Sequence, residues 1–117
     1  GRNGGAGVDM FKHVYRHQGP VARLFKAVMR SDRVRERFRS LLLAFLEGPL
    51  STASMEREVR LMAGEIGSEM PWHCARWRRP LSVAVWQGHV DRMIAFTHAR
   101  PDQVRAQLDA FLKSPVP

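Results

Sequence analysis

Nine residues, Glu69-Met-Pro-Trp-His-Cys-Ala-Arg-Trp77, hold two of the three tryptophans, the only cysteine, one of five histidines and an interior proline. His73 beside Cys74 suggests a thiol–imidazole pair. Adjacent residues on a helix point about 100° apart, so the two side chains do not face each other. Cys74 is therefore expected to be a buried small apolar group, and His73 a core-edge histidine bonding a backbone carbonyl. On a helix Met70, His73 and Trp77 share one side, and Trp72 and Arg76 lie at i, i+4 on the next. An aromatic or a carboxylate is expected to anchor Arg76, with Trp72 within its reach. Met70, Trp72, His73, Arg76, Trp77 and Trp86 form a candidate structural hub, in which Met70 and Trp77 are expected to be buried.

Two further groups of residues could do chemistry. His13 and His17 stand at i and i+4, the spacing at which one helix can offer two ligands to one metal. No carboxylate or cysteine motif supplies a third ligand nearby, so two exposed histidines are the plainer reading, and no metal site is assigned. His89 and His98 are nine residues apart and fall on opposite sides of one helix. Arg33, Arg35, Arg37 and Arg39 make a candidate basic surface on a helix that follows another carrying Arg23, Lys26 and Arg30. Such a surface could face phosphates or an acidic protein. Zinc-finger spacing and an aromatic-glycine RNA signature are both missing. Gly4-Gly5-Ala6-Gly7 has neither a preceding strand nor a following Lys-Ser/Thr, which excludes a phosphate loop.

Helices must position these groups. Pro20 starts one whose apolar positions are Val21, Leu24, Phe25 and Val28. Ser31 or Asp32 caps a second, with Val34, Phe38, Leu41, Leu42 and Phe45 inward, ended by Gly48-Pro49. Ser51 or Thr52 caps a third along Met55, Val59, Met62, Ile66 and Met70. Pro71 either kinks that helix or starts a new one. Ser82 caps the next, with Val83, Trp86, Val90, Met93, Ile94 and Thr97 along one face. Arg100-Pro101 is expected to stop it and to start the last helix, with Val104, Leu108, Phe111 and Leu112. The fold class is all-α: five to six short helices in a compact, antiparallel, bundle-like array. Residues 1–18 are expected to be a flexible lead-in, 19–113 the helical domain and 114–117 a frayed tail.

The 117 residues suit one domain, and the 44% apolar fraction is ordinary for a globular protein. The longest apolar run is Leu41–Leu46, well short of a membrane span, and one cysteine excludes an internal disulfide. The net charge of +8 comes from sixteen arginines and three lysines. Residues 1–50 carry a net +6 and residues 51–70 a net −2, so neighbouring segments can neutralise each other.

Beyond the residues themselves, the hub resembles a known family. Glu69–Trp77, then Pro80, Ser82, Trp86, Phe96 and Arg100-Pro101-Asp102-Gln103-Val104-Arg105, is similar to the C-terminal helical part of the CotH family. These are spore coat protein H-like, atypical protein-kinase-like proteins. Leu24-Phe25 and Ser31-Asp32-Arg33-Val34-Arg35-Glu36-Arg37-Phe38 fit the same pattern, so the resemblance spans roughly residues 20–112. It implies a parent with ATP and Mg²⁺ as cofactors, phosphorylating Ser/Thr proteins in the spore coat or the cytoplasm. Its nucleotide lysine and its catalytic and metal-binding aspartates would precede this segment. No catalytic, cofactor or metal residue is transferred here, and Asp9 lacks the neighbours of a metal-binding aspartate. The resemblance implies a helical subdomain that supports the catalytic lobe or docks a protein partner, without catalysis of its own. The expected partners are the rest of the parent chain, an acidic protein, or a second copy through an exposed apolar face. The alternative is a freestanding basic module that binds nucleic acid.

Overall fold

The computed structural model describes residues 5–114. These form six α-helices and, among the described residues, no strand. The helices are α1 (Met10–Arg16), α2 (Pro20–Val28), α3 (Asp32–Glu47), α4 (Thr52–Ile66), α5 (Met70–Trp77) and α6 (Val83–Lys113). A single 3-10 turn, Gly67–Glu69, joins α4 to α5. All-α is the observed class.

Local signals set the helix starts. The Ser31, Ser51 and Ser82 hydroxyls accept from the backbone N–H of Val34, Ser54 and Val85, occupying donors that the first turn leaves unpaired. Pro20 sits in the first turn of α2, where its missing N–H costs nothing. Pro71 likewise opens α5 rather than kinking α4.

Helices α4 and α6 pack on each other more extensively than any other pair. They run antiparallel: Thr52 meets Thr97 and Gly67 meets Trp86. A methyl added at Gly67 would sit 3.7 Å from the Trp86 ring, an ordinary contact, so the close approach leaves room for one. Nothing lies within 4 Å of the same position at Gly64, which marks no helix crossing.

The expected stop at Pro101 does not occur: α6 continues through it for 31 residues, about 46 Å at 1.5 Å per residue. A proline inside a helix has no N–H for the carbonyl four residues earlier. That carbonyl belongs to Thr97, and the Thr52 hydroxyl of α4 donates to it at 2.7 Å. A side chain 45 positions away thus replaces the missing backbone donor. The described array measures 54 × 29 × 19 Å.

Below Pro101, α6 meets an aromatic cluster. Phe111, 9% exposed, stacks on Phe11 at 4.8 Å between centroids and packs against Tyr15, Phe25 and Phe38. Leu108 and Met29 are almost wholly buried.

Within residues 1–18, expected as a flexible lead-in, Met10–Arg16 form α1 and the stretch before it is bonded to α6. Arg100 donates to the carbonyls of Ala6 and Val8 at 2.6 and 2.5 Å, and Gln107 to that of Gly7 at 3.1 Å. Asp9 then caps α1 by accepting from the N–H of Phe11 and Lys12. Two side chains of α6 and one cap thereby hold a glycine-rich segment that has no periodicity of its own. Residues 1–4 of the lead-in and 115–117 of the tail lie outside the described residues.

The buried Tyr15 hydroxyl has no hydrogen-bond partner among the described residues. An unpaired buried hydroxyl opposes folding, because its lost hydration is not replaced. Tyr15→Phe is therefore expected to leave stability unchanged or raise it by about 1 kcal/mol in urea unfolding followed by circular dichroism. A loss beyond about 1 kcal/mol would reveal a partner for the hydroxyl.

Candidate functional site

Helix α5 buries one short stripe, Met70 and Cys74 at i and i+4, and turns its other residues outward. Its C-terminus is closed by Arg78, whose backbone is left-handed (φ 54°) and whose N–H donates to the Cys74 carbonyl at 2.9 Å. The chain then turns back through Pro80 into α6.

The expected burial of Trp77 is overturned: Trp77 is 61% exposed and Trp72 80% exposed. Trp77 falls in line with Met70 by spacing, but it is the last residue of α5, a turn beyond the Met70–Cys74 contact. The Arg76 guanidinium covers one face of its ring, 5.0 Å from the centroid, and the rest meets solvent. Arg76 is thus anchored by an aromatic, at Trp77 rather than at Trp72 four residues earlier. His73 is exposed, and its Nε2–H donates to the Arg79 carbonyl at 3.0 Å. That bond fastens the turn between α5 and α6. Trp86 is half-buried against Gly67. The hub residues therefore act locally, as the turn that returns the chain from α4 to α6. The buried Cys74 thiol and the outward His73 ring form no nucleophile–base pair.

The four arginines of α3 divide. Arg33, Arg37 and Arg39 are exposed, and Arg39 lies 3.8 Å from Glu36. Arg35 is half-buried and does not belong to a surface patch. It donates to the Leu112 carbonyl at 2.5 Å and to the Met29 carbonyl at 3.4 Å, with its guanidinium 5.8 Å from the Phe111 ring centroid. Spacing alone placed it on the solvated arc, because its partners come from the ends of α2 and α6.

Of the histidines, His89 Nδ1 accepts from Arg92, and His98 lies 2.8 Å from Glu56 across the α4–α6 interface. Glu56 also accepts from Arg60, at 2.8 and 3.1 Å. The Arg60 bond first, and His98 second, hold the Glu56 carboxyl below the usual glutamate range. A lowered acid favours the folded state above its ordinary range, and this contribution is lost as pH falls through the lowered value. His13 on α1 and His17, the extended residue that ends it, come together with Nε2 atoms 3.1 Å apart.

Arg100 and Gln107, which hold the N-terminal segment, and Thr52, which serves the Thr97 carbonyl, take roles that reading the chain did not give them. Arg100 stands before a proline and was assigned the end of a helix and a place in the family motif. A long cation opposite a glycine run was the signal available for it.

Groove residues on α4 and α6 complete the description of the surface. Met55 and Val59 face Met93 and Phe96 across an open groove of about 760 Å³. No curated protein and no solved structure matches the chain. A family model does: CotH kinase protein, over residues 7–104. That span takes in α1 to α5 and α6 as far as Val104, so it includes the hub, the arginine-rich helix and the larger part of the long α6. The chain belongs to the CotH kinase protein family.

Proposed function

We propose that this chain is the C-terminal helical subdomain of a CotH-like atypical protein kinase, supporting the catalytic lobe and docking it through uncovered apolar faces. One observation carries the reading. Apolar positions that recur at helical spacing, and that ought therefore to be core, stand in solvent. Val21 is 82% exposed and Leu24 64% on α2, Met62 52% on α4 and Met93 52% on α6. On α2 the chain buries Ala22 and half-buries Phe25, leaving the rest of the stripe outside. Apolar stripes left open on α2 and on the α4–α6 pair are the kind of surface that marks interaction sites. The nucleic-acid alternative gains nothing from the geometry, since Arg35 is drawn into the fold and Arg39 is paired.

The test places single cysteines at Leu24 and Met62, in the isolated chain and in the parent protein, against the slow background of buried Cys74. Labelling by a soluble maleimide is expected to be at least tenfold slower in the parent. Equal rates in both would sink the docking role. In the same isolated chain, calorimetry is expected to show no Mg-ATP binding, and a saturable heat would overturn the assignment of phosphoryl transfer to another lobe.

A further inference from the structure

We propose that His13 and His17 form a chelating site for a divalent transition-metal ion of the class that imidazole prefers. The Nε2 atoms of the two rings are 3.1 Å apart, with ring centroids 4.6 Å apart and the rings inclined at 68°. A metal about 2.0–2.1 Å from each nitrogen would see them at an angle of about 100°. That lies between the right angle of a square site and the tetrahedral angle, so the metal enters without moving either ring far. In the metal-free chain the two nitrogens stand at hydrogen-bond distance, room for one hydrogen between them, and a metal ion that takes its place draws on both lone pairs.

The surroundings hold this geometry. The Lys26 ammonium donates to the His17 carbonyl at 3.0 Å and lies 5.7 Å from the Tyr15 ring centroid, tying the end of α1 to α2. Asp9 caps the other end of α1. Both histidines are exposed, so a hydrated ion reaches them directly. Lys12 and Arg16 flank them on the same helix and are also exposed, where water screens their repulsion. No group of three His, Cys, Asp or Glu is placed to hold a metal among the described residues, so water takes the remaining positions. Two imidazoles and open positions favour copper(II), which stands above nickel(II) and zinc(II) in affinity for nitrogen ligands.

The experiment titrates copper(II) sulfate alone into the full chain, with calorimetry for affinity and electron paramagnetic resonance for the ligand set. The expected result is one ion per chain with hyperfine structure from two imidazole nitrogens. His13→Ala and His17→Ala should each weaken binding at least tenfold, while His73→Ala and His89→Ala stay within twofold of the unmodified chain. Both target side chains are exposed, and circular dichroism confirms the helix content of each variant. The spectrum of the unmodified chain tests the ligand set without any substitution. A single-nitrogen spectrum, or binding by His13→Ala equal to that of the unmodified chain, overturns the site.

Discussion

Phe111→Ala lowers the stability of the chain by about 3–5 kcal/mol, the cost of deleting a large buried aromatic and leaving its space unfilled. The expectation rests on what the ring touches. Phe11, Tyr15, Phe25 and Phe38, from three other helices, all lie within 6.5 Å of its centroid. Phe25 and Phe38 likewise touch rings of the other three helices, so one cluster ties α1, α2 and α3 to the end of α6, and Phe111 is the member that α6 supplies. Urea unfolding monitored by circular dichroism measures the loss. Phe111→Leu, which keeps most of the volume, should recover a large part of it. A loss below about 1.5 kcal/mol would mean that the cluster is looser than its ring contacts indicate.

Arg35→Ala costs about 1.5–3 kcal/mol, whereas Arg33→Ala and Arg37→Ala change stability by less than about 0.5 kcal/mol. The three residues share a helix and a charge, so composition does not distinguish them. Arg35 alone donates to two carbonyls, and it bridges the ends of α2 and α6. Hydrogen bonds from a charged donor exceed neutral ones, and the alanine leaves carbonyls at two helix ends without that donor. Arg35→Lys should rescue only part of the loss, since one ammonium cannot keep the planar fork that reaches both oxygens. Equal effects at Arg33 and Arg35 in the same unfolding assay would contradict the division of the basic helix.

How much of this was legible in the chain depends on the range of the interaction. Ser31, Ser51 and Ser82 act within three residues of themselves, and the three helices they open start where the pattern places them. The 3.6-residue stripes of α3 and α4 were visible for the same reason. Burial along those stripes was not, because periodicity says which face is apolar and not whether anything covers it. Val21 and Leu24 show the difference on α2. Trp77 failed at an end effect: its spacing from Met70 is correct, but the helix stops beneath it. Arg35 and Arg100 failed because the carbonyls that draw them in, of Leu112 and of Ala6 and Val8, lie 77 and more than 90 residues away and carry no side-chain signal. The family resemblance was legible in the order of several short motifs, none of them chemical, and so it came without a catalytic residue.

The bond from Thr52 to the Thr97 carbonyl bears on how the molecule transmits force. The spine helix carries α4 and α5 on one length and α1 with the aromatic cluster on the other, and Pro101 lies between them. A helix missing one rung bends most easily at that rung. Thr52 fills the gap from outside the helix, so the stiffness of the joint resides in a neighbouring element. Any movement that slides α4 along α6 withdraws the hydroxyl and softens the spine at that point. The two ends of the array are therefore coupled like two arms on a pinned lever, and the pin is a single threonine.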